Sequence, residues 1–213
     1  MNIKIEYEYF EEFELKTTDA RKSLLNIIIE IYKLARKLYP TEEEDWDEKR
    51  ALSMEFILKE IIKNHGLTIG IKSSCKKKLK EKGEISFINF HLGVYSYFIV
   101  NLMAPDEYFK ENFPYQSIRE NNVLGSTNYK VNREKSIKFP ENLKIFVKTT
   151  TETGEPLDDF EVFLTYLHEF THFLNILEKF YYEIKVDELF LNKIIKKSFK
   201  KGLVKWFDVK YIE

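Results

Sequence analysis

The sequence is poor in cysteine and in net charge, and each shortage excludes a kind of site or partner. The one cysteine, Cys75, excludes an internal disulfide and a cysteine-based zinc site, so a metal would need histidine and carboxylate ligands. No apolar run approaches the roughly 18 residues that span a membrane. The acidic segment after Met1 also lacks the basic start of a secretory signal. We therefore expect a cytoplasmic protein with no membrane association.

The charges of the chain nearly cancel. Lys and Arg total 34 against 35 for Asp and Glu, a formal net charge of -1, so no overall field attracts DNA, RNA or an anionic membrane. The lysine run at 76–80 is short and typical of a solvated surface, and no nucleic-acid partner is expected from it. Apolar residues make up 44% of the 213 residues, which is enough to bury a core. We expect one domain over 1–213, with an N-terminal helical part at 17–65 and the remainder at 66–213.

Two helices are predicted in the N-terminal part. Thr18 or Asp19 can cap the first, which ends before Pro40. The second follows the acidic stretch 41–48 and ends near Gly66, where glycine can terminate it. Apolar residues recur at helical spacing in the first helix at Leu24, Leu25, Ile28, Ile31, Tyr32, Ala35 and Leu38, and in the second at Leu52, Phe56, Leu58, Ile61 and Ile62.

The middle of the chain carries strand patterns separated by polar segments. Strands are predicted at 67–72, 85–92 and 143–150, a possible edge strand at 1–15, a strand or helix at 95–103, and loops at 105–114 and 121–132. From Asp158 to Leu177 the pattern becomes helical again, with a continuous apolar stripe. These elements together predict an α+β fold with a small, mostly antiparallel sheet.

The helix at 158–177 carries the motif His168-Glu169-Phe170-Thr171-His172. Histidines four residues apart project from the same face of a helix about one turn from each other, so two imidazoles can share one ion. Zinc accepts imidazole nitrogen and lowers the pKa of its water to about 7. Glu169 follows the first histidine directly and is the expected general base. The motif therefore predicts one zinc ion and metal-assisted hydrolysis.

This motif resembles the active-site helix of the zincin metallopeptidases. In the gluzincin branch a glutamate on a following helix is the third ligand, and an aspartate four residues later supports a ligand histidine. The segment Glu183-Ile184-Lys185-Val186-Asp187 matches that pattern. The resemblance implies Glu183 as the third ligand, Asp187 as the acid that supports a ligand histidine, and a peptide or protein substrate.

The connection to Glu183 is short, and the third ligand stays open on geometry. Ten residues separate His172 from Glu183, and a continuous helix would place them about 16 Å apart along its axis. The chain is therefore expected to turn back within 175–182. Glu178, Asp187 and Glu188 are the alternatives. A histidine ligand is not expected, because none follows His172.

The sequence thus predicts a zincin-like zinc metallopeptidase, with a catalytically silent zinc-binding regulator or interaction protein of zincin fold as the alternative. A substrate strand would pair with an edge strand before the metal helix, and 143–150 is the best-placed candidate, although it fits a core strand equally well. Tyr181, Tyr182 or His91 could donate to the developing oxyanion.

Overall fold

The computed structural model describes residues 17–89, 99–112, 123–131, 140–180, 188–201 and 203–212. The helices are α1 (Ala20–Leu38), α2 (Trp46–Asn64), α3 (Ser73–Lys82), α4 (Asp106–Asn112), α5 (Asp159–Phe180), α6 (Glu188–Lys201) and α7 (Leu203–Trp206). The strands are β1 (Leu67–Ile71), β2 (Ile85–Asn89), β3 (Ile99–Ala104), β4 (Gly125–Val131), β5 (Pro140–Lys148) and β6 (Phe207–Tyr211). Helices and small sheets are mixed, so the predicted α+β class is confirmed.

Both predicted N-terminal helices are present. The Asp19 side chain caps α1 by accepting from the backbone N–H groups of Arg21 and Lys22 at 3.0 and 3.2 Å, which satisfies donors that a helix start leaves unpaired. The second helix, α2, begins at Trp46. Asp47 and Glu48, expected just before this helix, therefore belong to its first turn, where negative charge opposes the positive end of the helix dipole.

The larger sheet has four strands in the order β2-β3-β5-β4. β3 runs parallel to β5, and the other two pairings are antiparallel, as the prediction of a mostly antiparallel sheet requires. A separate antiparallel pair joins β1 to β6. The strand predicted at 143–150 is β5, which lies inside the sheet, so its proposed role as an edge strand is wrong. Within the described chain, β4 is the edge strand beside α5, the helix that carries the two histidines.

Two segments expected to be loops are regular. The polar stretch 121–132 contains β4, and the stretch 105–114 contains the helix α4. An edge strand has a neighbouring strand on one edge only, so its side chains are less completely covered than those of a central strand. Polar residues such as Ser126, Thr127 and Asn128 are therefore tolerated there. The possible strand at 1–15 lies outside the described residues.

The core lies between the sheet and the helices, and α5 supplies its centre. Buried apolar side chains follow one another along α5 at Val162, Phe163, Tyr166, Leu167, Phe170, Phe173, Leu174 and Leu177. Two of its aromatic rings pack edge to face on rings of the C-terminal segment. The ring centroids are 5.2 Å apart for Tyr166 and Trp206 and 5.3 Å apart for Phe163 and Phe207, an arrangement that aromatic pairs prefer. This packing fixes the orientation of the helix that carries the histidines.

A close approach between α5 and β4 depends on Gly125. A Cβ atom at this position would lie 2.7 Å from Thr165 Cγ2, 2.8 Å from Glu169 Cγ and 2.9 Å from the backbone oxygen of Phe146. Glycine is therefore the residue that lets the edge strand lie directly against the histidine-bearing helix α5.

A buried ion pair joins the ends of β3 and β5. Lys148 ends β5 and Asp106 follows β3, and their side chains are 3% and 2% exposed with Nζ and Oδ1 2.5 Å apart. Lys110 lies 2.8 Å from the other carboxylate oxygen of Asp106. Buried charges are tolerated when they are paired in this way.

The lysine run lies on α3 and is largely exposed, and Lys76 pairs with Asp159 at 2.7 Å. Among the described helices, none is long and apolar enough to cross a membrane.

Candidate metal centre

The helix α5 begins where the sequence predicts and carries the motif in its middle. The Asp158 side chain accepts from the backbone N–H of Phe160 at 2.8 Å, and Asp159 and Glu161 lie in the first turn. These acids stabilise the start of the helix. The helix continues to Phe180, so within the turn region expected at 175–182 the chain does not turn back before Phe180. Residues 181 and 182 lie outside the described residues.

The two histidines of the motif converge. His168 Nε2 and His172 Nε2 are 3.1 Å apart, and the ring centroids are separated by 4.8 Å. Both side chains are only partly exposed, at 16% and 17%. The prediction that the two imidazoles share one face of α5 is confirmed.

A carboxylate from α2 completes a three-residue cluster. Glu48 Oε2 lies 3.4 Å from His172 Nε2, and Glu48 Oε1 lies 3.8 Å from His168 Nε2. One ligand atom from each residue falls within 4.8 Å of the others. Tetrahedral zinc, with bonds of about 2.0–2.2 Å, separates its ligand atoms by roughly 3.3 Å. The donor set and its spacing therefore fit a zinc ion.

The outer nitrogens of both histidines face acids of the same helix. Asp47 Oδ2 lies 3.0 Å from His172 Nδ1, and Glu55 Oε2 lies 3.3 Å from His168 Nδ1. A carboxylate that accepts from the outer N–H of a ligand histidine fixes its tautomer and leaves the inner nitrogen free to bind a metal. Asp187, to which sequence reasoning assigned this supporting role, lies outside the described residues. Among the described residues, Asp47 and Glu55 lie at the positions that such a role requires.

A buried polar network holds Asp47 in place. Asn175, fully buried one turn after His172, donates from Nδ2 to Asp47 Oδ1 at 2.7 Å. Its Oδ1 accepts from the Tyr32 hydroxyl at 3.0 Å and from Arg50 Nη1 at 3.3 Å. The buried polar groups of Asn175, Tyr32 and Arg50 are thereby hydrogen-bonded away from water. The network ties α1, α2 and α5 together directly beneath the histidines.

The ionisation of the histidine and acid pairs follows from these contacts. Burial alone would lower the pKa of His172, but the hydrogen bond and charge of Asp47 outweigh it, and the pKa of His172 is raised. The His168 imidazole, with Nδ1 3.3 Å from Glu55 Oε2, lowers the pKa of Glu55 against the opposing effect of burial. Both pairs therefore favour a carboxylate next to an N–H donor.

Glu169 is buried between α5 and β4. The Thr127 hydroxyl lies 2.7 Å from Glu169 Oε2 and 2.8 Å from the Glu169 backbone oxygen. Burial raises the pKa of Glu169, although the Thr127 hydrogen bond and the charges of His172 and His168 act in the opposite direction. A raised pKa makes the Glu169 carboxylate a stronger proton acceptor.

A cavity of about 560 Å³ opens over these groups. Its walls come from the first turn of α2, from β4 and from α5, and include Trp46, Glu48, Tyr129, His168, Glu169 and His172. Concave sites with a few convergent polar groups are where ligands bind.

The remaining candidates from the sequence lie elsewhere. Glu178 forms ion pairs with Arg50 and Arg36 at 2.7 and 3.1 Å and does not belong to the described metal cluster. Glu183, Asp187, His91, Tyr181 and Tyr182 lie outside the described residues, as does the side chain of Glu188.

Sequence reasoning missed the acids of α2. Glu48 and Glu55 are seven residues apart, which places them two turns apart on one face of a helix. That spacing is a signal of a shared face, but nothing in the sequence indicates that this face meets residues about 120 positions later.

No protein-family model, curated protein sequence or solved structure matches the chain.

Proposed function

We propose that this protein is a zinc-dependent metallopeptidase of the zincin type, with His168 and His172 as metal ligands and Glu169 as general base. The observation that carries the proposal is the 3.1 Å approach of the two Nε2 atoms on a cavity wall that also contains Glu169. Two surface histidines without a shared ligand would not be expected to bring their Nε2 atoms together beside a buried carboxyl group. The carboxylates behind both rings also suit ligand histidines.

The chemistry divides between the ion and the chain. A zinc ion held here supplies a Lewis acid that activates water and polarises a carbonyl group. Glu169 takes a proton from the attacking water and later delivers it to the leaving amine nitrogen. The Thr127 hydroxyl holds the Glu169 carboxylate at the cavity wall during both transfers.

The edge strand β4 gives a reason to propose a peptide substrate. Within the described sheet β4 pairs with β5 along one side, and Gly125, Ser126, Thr127 and Tyr129 of β4 line the cavity. An extended peptide can add to such an edge through main-chain hydrogen bonds. This would place a scissile amide beside Glu169, and β4 replaces β5 as the proposed substrate strand.

Zinc-dependent cleavage tests the proposal. The purified protein, incubated with casein or a fluorogenic peptide library, is expected to cleave substrate, to lose this activity after treatment with a zinc chelator, and to regain it when zinc is added. The physical reason is that Glu169 alone cannot activate water sufficiently at neutral pH. Cleavage that persists unchanged in excess chelator would contradict a metallopeptidase. A protein that holds zinc yet cleaves no peptide would instead be the zinc-binding regulator of zincin shape.

A further inference from the structure

We propose that Glu48, from the N-terminal helix α2, is the third ligand of the metal, in place of the Glu183 that the family resemblance implies. This inference rests on the proposed function, since it identifies a ligand of the same site. It starts from the position of the Glu48 carboxylate, whose two oxygens lie 3.4 and 3.8 Å from the inner nitrogens of His172 and His168. A bound zinc ion would draw these atoms together only slightly.

The first turn of α2 is held in position by its neighbours. On one side of Glu48, Asp47 is fixed by Asn175 through hydrogen bonds to its side chain and backbone oxygen at 2.7 and 3.2 Å. On the other side, the buried Arg50 donates to the Tyr39 backbone oxygen at 2.7 Å and lies over the Trp46 ring at 4.6 Å. Glu48 therefore projects from a rigid backbone, as a preorganised ligand requires.

The acids of α2 contact different nitrogen atoms of the two histidines. Asp47 and Glu55 lie behind the two rings, at the outer Nδ1 atoms, while Glu48 lies in front of them, at the inner Nε2 atoms. One helix face thus offers both an inner oxygen ligand and the outer acceptor for each imidazole. Each of these carboxylates has an oxygen within 3.8 Å of an imidazole nitrogen. Their negative charge would stabilise a divalent cation held at the Nε2 atoms.

Metal binding would then join two helices that are far apart in sequence. With Glu48 as ligand, the ion connects α2 to α5, so zinc should stabilise the packing of the N-terminal helices on the catalytic part. With both histidines and a downstream acid as the ligands, α2 would gain nothing from the metal. The identity of the third ligand should therefore affect both the zinc affinity and the increase in melting temperature that zinc produces.

The test compares zinc affinity in Glu48→Gln, Glu183→Gln and the control Glu44→Gln. Glu44 is an exposed residue of the same acidic segment. Affinity is measured by competition with a chromogenic chelator, and ligand geometry by the visible spectrum of the cobalt-substituted protein. Glu48→Gln is expected to weaken zinc binding by about 100-fold or more, beyond the roughly 10–100-fold effect of changing an outer partner. It should also change the cobalt spectrum, whereas the other two variants should resemble the wild type.

The fold of the variant is checked in the same samples. The Glu48 side chain is 55% exposed, so the melting temperature of metal-free Glu48→Gln should equal that of the metal-free wild type. The increase that zinc produces in the wild type should be reduced in this variant and retained in Glu183→Gln.

Failure of this inference is distinguishable from failure of the proposed function. Wild-type affinity and an unchanged cobalt spectrum in Glu48→Gln would overturn Glu48 as ligand, as would a larger loss in Glu183→Gln, even if the protein cleaves peptides in a zinc-dependent way. Loss of zinc in Glu48→Gln from a protein that cleaves no peptide would support the ligand and refute the peptidase.

Discussion

Glu169→Gln is expected to lower kcat/KM for peptide cleavage by about 100- to 10,000-fold, the usual contribution of a general acid–base group. The variant should keep its zinc, because Glu169 follows the first histidine and is absent from the described metal cluster. The amide oxygen of glutamine can still accept from the Thr127 hydroxyl, which lies 2.7 Å from the native carboxylate. The loss should therefore reflect proton transfer and not a disturbed fold.

The measurement is kcat/KM with one fluorogenic peptide, together with zinc content for each preparation. Glu161→Gln is the matched control, since Glu161 is an exposed acid on the same helix two turns earlier. Its activity should equal that of the wild type. Unchanged cleavage by Glu169→Gln would remove this residue from the mechanism.

Asp106→Ala is expected to lower the free energy of unfolding by about 3–5 kcal/mol, the usual cost of removing one partner from a buried ion pair. The cost arises because Lys148, only 3% exposed, is left charged without its counterion. Lys110 is partly exposed and can turn to water. Urea denaturation at neutral pH measures the difference, and a loss below about 1 kcal/mol would contradict the account.

Replacing both partners is the control for this pair. Asp106→Leu combined with Lys148→Met should recover most of the lost stability, since apolar side chains of similar size can replace a buried pair at little cost. If the double variant is as unstable as the single one, the site depends on shape and not on charge.

The same pair predicts a pH dependence of stability. Burial alone would raise the pKa of Asp106, but hydrogen bonds and charges from Lys110 and Lys148 outweigh it and hold the pKa below its ordinary value. A lowered pKa in the folded state contributes stability that is fully present above the unfolded value of about 3.9 and is lost as the pH falls through the folded pKa. The difference between wild type and Asp106→Ala should therefore narrow in acid.

The parts of the fold that sequence predicts are those with long periodic patterns. α1, α2 and α5 each repeat apolar residues over several turns, and β5 carries Leu143, Ile145 and Val147 at strand spacing. β4 and α4 were missed for physical reasons: an edge strand tolerates polar residues, and a helix of seven residues is too short for its periodicity to stand out.

The residues of the candidate site also differ in whether the sequence alone predicts their positions. The two histidines lie one helical turn apart, so helix geometry alone predicts their shared face, and it places Glu169 about 100° round the helix from His168. Asp47, Glu48 and Glu55 come from another helix, and their approach depends on how α2 packs on α5. That packing is set by Arg50, Asn175 and the surrounding core, which no local pattern encodes.

The central claim, a metal ion shared by the two imidazoles of α5, is tested most directly by the zinc content of the purified protein beside His168→Ala. The control is His65→Ala, because His65 lies at the C-terminal end of α2 and outside the cluster. We predict about one zinc ion per chain in the wild type and in the control, and almost none in His168→Ala. Zinc-free wild-type protein after growth and purification with added zinc, or full zinc content in His168→Ala, would contradict the account.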